Sequence, residues 1–173
     1  MTSGDASESG SIVTAPRRVE QKGRNGTWRV LAKLSVSSEP GNERLAMERV
    51  AEVVREIGLS EQRLERLKTA VAEATMNAME HGNRYDPDVS VNIQVWLLKD
   101  RLLVRIIDRG SGPLSSLKAQ GPNLEAKLEN LQTARGWGVF LIERMVDEVR
   151  VSGNPDHHTV ELVMRLEAGK DAG

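Results

Sequence analysis

The chain contains no cysteine. Disulfides, thiolate metal sites and a cysteine nucleophile are therefore excluded. Histidines number only three, and only His157 and His158 are adjacent, which leaves little for a histidine-rich metal site. Neither sign of charge is in excess: 24 Lys and Arg stand against 25 Asp and Glu. That balance gives no electrostatic argument for nucleic acid or an anionic membrane surface as a partner. No apolar run approaches the roughly 18 residues needed to span a bilayer. The opening stretch, Met1 to Gly10, is polar and acidic, unlike a signal peptide. The cytoplasm is the expected compartment. What remains is 173 residues, 39% hydrophobic and 28% charged, which suits one globular domain with a real core.

Residues 1–26 are rich in Ser, Gly, Thr and charge and read as a flexible tail. From there Trp28, Val30, Ala32, Leu34 and Val36 alternate with polar residues, as a strand with one buried face does. Asn42 is a candidate N-cap for a helix whose apolar stripe runs from Leu45 to Ile57 and which Gly58 stops. Ser60 starts a second helix, with Leu64, Leu67, Ala70, Val71, Ala74 and Ala78 on its core side, ending at His81-Gly82-Asn83. Two alternating strands follow, joined by a tight turn at Lys99-Asp100. A polar, turn-rich stretch covers 111–135, and a helix with Val139, Ile142, Met145 and Val146 on its core face comes after it. A final hairpin turns at Gly153 to Asp156, where His157 and His158 are expected to be exposed. Residues 168–173 read as a second tail. The order suggests an α+β two-layer sandwich: a mixed, mostly antiparallel sheet with helices on one face, spanning 27–167.

Three places carry chemistry. Glu73, Asn77 and His81 sit at i, i+4 and i+8 on one stripe of the second helix, beside its apolar face. Facing a cavity, such a Glu can serve as a general base and such an Asn can offer an oxygen to Mg²⁺. An ordinary solvated helix face is the alternative. Asp108-Arg109-Gly110-Ser111-Gly112 directly follows a strand, where an Asp can accept from an exocyclic amine and glycines permit close backbone approach. Arg135-Gly136-Trp137-Gly138 opens a helix, and exposed N–H groups with the helix dipole suit phosphates. Each motif alone is commonplace; their succession in this order is not. The phosphate loop Gly-x-x-x-x-Gly-Lys-Ser/Thr is absent.

In these motifs the chain resembles the Bergerat-fold (GHKL) ATPases, and among them the bacterial anti-sigma-factor serine/threonine kinases of the RsbW and SpoIIAB type. Val71 to Gly82 resembles the family's N box, Asp108 to Gly112 its first glycine box, and Arg135 to Ile142 with Met145 to Val149 its second. The resemblance implies roles. Glu73 would be the catalytic base, Asn77 would ligate Mg²⁺, and Asp108 would bind the adenine amine of ATP. Gly110 and Gly112 would let the backbone pass the nucleotide, residues 113–135 would form a lid, and Gly136 and Gly138 would cradle phosphates. Arg135 and Arg109 are candidate phosphate donors. The implied substrate is a STAS-domain anti-anti-sigma protein. A sigma factor is an implied second partner, and a homodimer the implied assembly. The alternative is an ATP-gated module that sequesters a partner without phosphotransfer.

Overall fold

The computed structural model describes residues 20–23, 26–110 and 135–166. Its elements in chain order are β1 (Glu20–Gly23), β2 (Gly26–Ser37), α1 (Asn42–Val54), α2 (Glu61–Asn77), β3 (Ser90–Leu98), β4 (Arg101–Asp108), α3 (Arg135–Met145), β5 (Glu148–Asn154) and β6 (His157–Arg165). The strands form one sheet in the order β1-β2-β3-β4-β6-β5. The expected mostly antiparallel sheet is antiparallel at every one of these pairings. β1 pairs with the start of β2 and lies inside the segment that the composition alone reads as a tail.

One core cluster joins α1, α2 and α3 to a single face of the sheet. α2 is central to it: Leu67, Ala70, Val71 and Ala74 are almost wholly buried, and its alanines let the helix lie close to the strands. The helix begins as expected at Ser60, whose Oγ accepts the Arg63 N–H at 3.4 Å. α1 begins differently. Its N-cap is Gly41, at φ 99°, and Asn42 makes no capping bond. The Asn42 amide instead donates to Ser37 O at 2.9 Å and Ser37 Oγ at 2.8 Å, tying the helix start to the end of β2. Gly58, at φ 83°, closes the following 3₁₀ turn as the sequence suggests.

β2 departs from the one-sided strand that its alternation predicts. Val30 pairs with Trp96 and Ala32 with Val95, so Leu31 is an extra residue: a β-bulge. Beyond it Ala32, Leu34 and Val36 face the helices. Before it Val30 and Trp28 pack with Trp96, Leu103 and Val163 in a separate cluster. A one-residue slip moves a strand's apolar set to the other face, and here it splits the stripe in two.

Asp147, between α3 and β5, ties three segments together. Its carboxylate accepts from the Arg63 guanidinium at 2.7 Å and from the Arg165 N–H at 2.7 Å. Burial would push this carboxyl up, but the backbone bond from Arg165 and the bond and charge of Arg63 outweigh it, so it lies below the usual range. A lowered folded-state value stabilises above the unfolded value and is lost as pH falls through the folded one. Asp147→Ala should thus cost about 1 kcal/mol at pH 7, discounted for partial exposure. Urea titrations of both proteins at pH 7 and below pH 4 check this: the gap should narrow in acid, whereas an unchanged gap would assign it to packing.

Candidate active site

α2 carries the first two candidate residues. Glu73 and Asn77 are both half-buried, one helical turn apart on one stripe. Burial, and next the negative charge of Glu80, push the Glu73 carboxyl up from its ordinary value. Both causes disfavour a charged carboxylate and move its proton affinity toward what a base working near neutral pH needs. His81, the third member of the stripe, has Nε2 3.7 Å from a Glu80 carboxylate oxygen.

The helix does not stop at Asn77. Ala78–Gly82 widen into a π-turn, and the Asn83 N–H donates to Ala78 O at 2.8 Å, five residues back. Gly82 stands where a glycine commonly ends a helix in a left-handed conformation, yet its φ is not positive; among the described residues the positive-φ glycines are Gly26, Gly41 and Gly58. What Gly82 supplies is space. A Cβ built on it would overlap the Asp108 carboxyl, with Oδ1 and Oδ2 only 2.5 and 2.6 Å away. The π-turn thus brings the end of the helix against the end of β4.

Asn83 secures that approach. Its side-chain amide is buried, donates to Ser38 Oγ at 2.9 Å and, through Oδ1, accepts the Arg109 N–H at 2.7 Å. One side chain therefore joins the ends of β2, α2 and β4. The chain then passes through Arg84 and Tyr85 at φ 55° and 54°, a left-handed pair of non-glycine residues. Such residues cost on the order of 1 kcal/mol each and persist where surroundings dictate them. Here the Tyr85 N–H is held by Met79 O at 2.7 Å.

Asp108 is the last residue of β4 and is 5% exposed. Gly110 N–H donates to its Oδ1 at 2.7 Å, closing the turn over the carboxylate. Burial pushes this acid up, while the Gly110 bond and then the charge and hydrogen bonds of His158 pull it down, leaving it raised. His158 contradicts its expected exposure. It lies in β6 opposite Asp108, is 5% exposed, and places Nδ1 3.3 Å from Asp108 Oδ1. The hairpin turn is shorter than expected, so His157 and His158 already belong to the strand.

Beside Asp108 opens a narrow, largely apolar pocket. Ala74, Asn77 and Ala78 form one side. Ile142, Val149, Val151 and Val160 supply an apolar remainder, with Asp108 among the few polar groups. A slot of this kind suits a flat heterocycle that presents an amine to the carboxylate. The structure thus brings Asn77, Asp108 and Gly110 together. Glu73 lies one turn earlier in α2, outside the pocket lining. Arg135, Gly136 and Gly138 fall at the described start of α3, and Gly138 precedes the pocket residue Ile142 by one turn. Arg109 is exposed. Gly112, and the expected lid up to residue 134, lie outside the described residues.

Sequence reasoning missed Asn83, the spatial role of Gly82, and His158. For His158 a signal existed. It is in phase with Val160, Leu162 and Met164, so extending the alternation back by two residues places it on the core face.

The family described as "Histidine kinase-like ATPase domain" matches residues 36–164. The serine-protein kinase RsbW of Oceanobacillus iheyensis is 32% identical over 123 residues, covering 69% of this chain and 77% of that protein. The serine-protein kinase RsbW of Bacillus subtilis is 32% identical over 114 residues, covering 65% and 69%. Among solved structures, the RsbU and RsbW domains of a Mycobacterium tuberculosis protein superpose with a TM-score of 0.55 at 21% identity, over 78% of this chain and 32% of that longer one. The SiaB-SiaC complex of Pseudomonas aeruginosa gives 0.58 at 12% identity, over 78% and 89%. These two show the shared fold. The chain belongs to the histidine kinase-like (Bergerat-fold) ATPase family, among its RsbW-type serine-protein kinases.

Proposed function

We propose that the chain is an ATP-dependent serine/threonine protein kinase that phosphorylates a STAS-domain anti-anti-sigma protein and restrains a sigma factor, working in the cytoplasm as a homodimer. The observation that carries this reading is the buried Asp108 carboxylate beside an apolar pocket whose lining also includes Asn77. Among the described residues no helix is long and apolar enough to cross a membrane.

This reading gives each residue a part. Asp108 accepts the adenine amine while the valines and Ile142 sandwich the ring. Gly110 and Gly82 place no side chain of their own against the carboxylate. Among the described residues no group of three or more His, Cys, Asp or Glu forms a metal cage. The single amide oxygen of Asn77 nevertheless fits a hard cation that takes most of its ligands from phosphates and water. Mg²⁺ so bound would neutralise charge on the transferring phosphoryl group. Glu73 accepts the proton of the substrate hydroxyl as its oxygen bonds to the γ-phosphorus and ADP departs.

The test is phosphotransfer. The purified chain, Mg²⁺ and γ-labelled ATP are mixed with STAS-domain proteins of the same genome. Label should reach a Ser or Thr of one of them, and Asp108→Asn, which offers the amine a donor in place of an acceptor oxygen, should reduce labelling at least about tenfold. ATP binding without label on any partner would favour the nucleotide-gated sequestering module instead.

A further inference from the structure

The contact between His158 and Asp108 joins two neighbouring strands at the floor of the site. Their Cα atoms are direct partners across β4 and β6, and both side chains are nearly inaccessible. Asp108 Oδ1 receives the Gly110 N–H at 2.7 Å and lies 3.3 Å from His158 Nδ1. The crowding around the pair is close: a Cβ on Gly110 would lie 2.8 Å from His158 Nδ1, from Asp108 Oδ1 and from the Gly82 Cα. The imidazole therefore occupies a fitted position rather than a solvent-filled one.

We propose that His158 is a positioning residue for base selection: by donating from Nδ1 to Oδ1 it fixes Asp108 as an oriented hydrogen-bond acceptor, and so sets the choice of an aminopurine over an oxopurine nucleotide. The inference rests on the reading that this pocket takes the base of ATP. Its chemistry is that of donor and acceptor matching. A carboxylate offers only acceptors, which suit the exocyclic amine of adenine and repel the carbonyl oxygen of guanine. A buried carboxyl that loses one of its donors gains a proton or rotates more readily, and its hydroxyl can then donate to that carbonyl oxygen. Three donors reach the carboxylate: the Gly110 amide, which belongs to the turn, the backbone N–H of residue 158, which any side chain there leaves in place, and the His158 imidazole, whose Nδ1 lies against Oδ1.

The experiment compares Mg·ATP and Mg·GTP binding to the full chain by calorimetry, in wild type, His158→Asn and His158→Leu. Asn can place its amide N–H near the position of Nδ1, whereas Leu fills the space without a side-chain donor and keeps the backbone one. Wild type and His158→Asn should prefer ATP to similar extents, within about threefold, while His158→Leu should lose about tenfold or more of that preference. A folded His158→Leu protein with wild-type preference would overturn the proposal. Should His158→Leu not fold, ¹⁵N spectra of the wild-type imidazole decide: a proton on Nδ1 that responds to Mg·ATP supports it, and an unprotonated Nδ1 overturns it. Wild-type protein that binds neither nucleotide would instead bring down the nucleotide reading itself, and this assignment with it.

Discussion

Glu73→Gln should lower phosphotransfer by about 10²–10⁴-fold while leaving Mg·ATP affinity nearly unchanged. The substitution keeps size and hydrogen-bonding reach but removes the ability to hold a proton. Glu73 does not line the base pocket, so nucleotide binding has little reason to change. The pH profile carries the same argument further. Burial and then Glu80 raise the Glu73 carboxyl, and a base works only when deprotonated. The wild-type rate should therefore rise with pH through that raised value and then level off. Glu80→Gln removes a like charge, so the acid limb should move to lower pH while the plateau is maintained. Single-turnover transfer to the STAS partner across pH measures both effects. A Glu73→Gln enzyme with wild-type transfer would show that another group, or the substrate itself, manages the proton.

The legible parts of this protein are those that depend on neighbours along the chain. The order of strands and helices, the Ser60 cap, the core stripe of α2 and the positions of Asn77 and Asp108 all follow from local spacing, because periods of two and 3.6 residues report which side a residue faces. What was hidden depends on contacts between distant segments. The bulge at Leu31 is invisible in the alternation of β2, since Val30 and Ala32 are equally apolar on either reading; only pairing with β3 separates them into two clusters. Asn83 reads as a helix terminator, yet its partners are Ser38 and Arg109. Asn42 reads as a cap, but a nearby strand end offered its amide better-placed acceptors. The site thus divides along the same line. Residues proposed to meet the nucleotide sit in motifs, whereas those that hold the motifs against one another come from wherever the fold brings them.

Gly82→Ala is the second change expected to have a large effect, and it separates two explanations of the same glycine. If Gly82 served only to end a helix through a left-handed conformation, alanine would cost about 1 kcal/mol of stability and leave nucleotide binding alone. Its φ is not positive, however, and the added Cβ would overlap the Asp108 carboxyl. Relief has two routes. The Asp108 side chain can turn away, giving up the Gly110 N–H and the His158 contact, or the π-turn at Ala78–Gly82 can shift as a body and pull on Asn83. Either route disorders the acceptor that the base requires. The expected result is a folded protein destabilised by about 1–3 kcal/mol, as overpacking typically gives. Because the strain falls on the carboxylate proposed to recognise the base, ATP affinity should drop by well over tenfold, more than a general loosening would explain. Thermal melts and Mg·ATP titrations on the same samples test this. Stability loss with wild-type affinity would mean that the backbone yields and Asp108 stays in place, so that the close packing of helix end and strand end is structural alone.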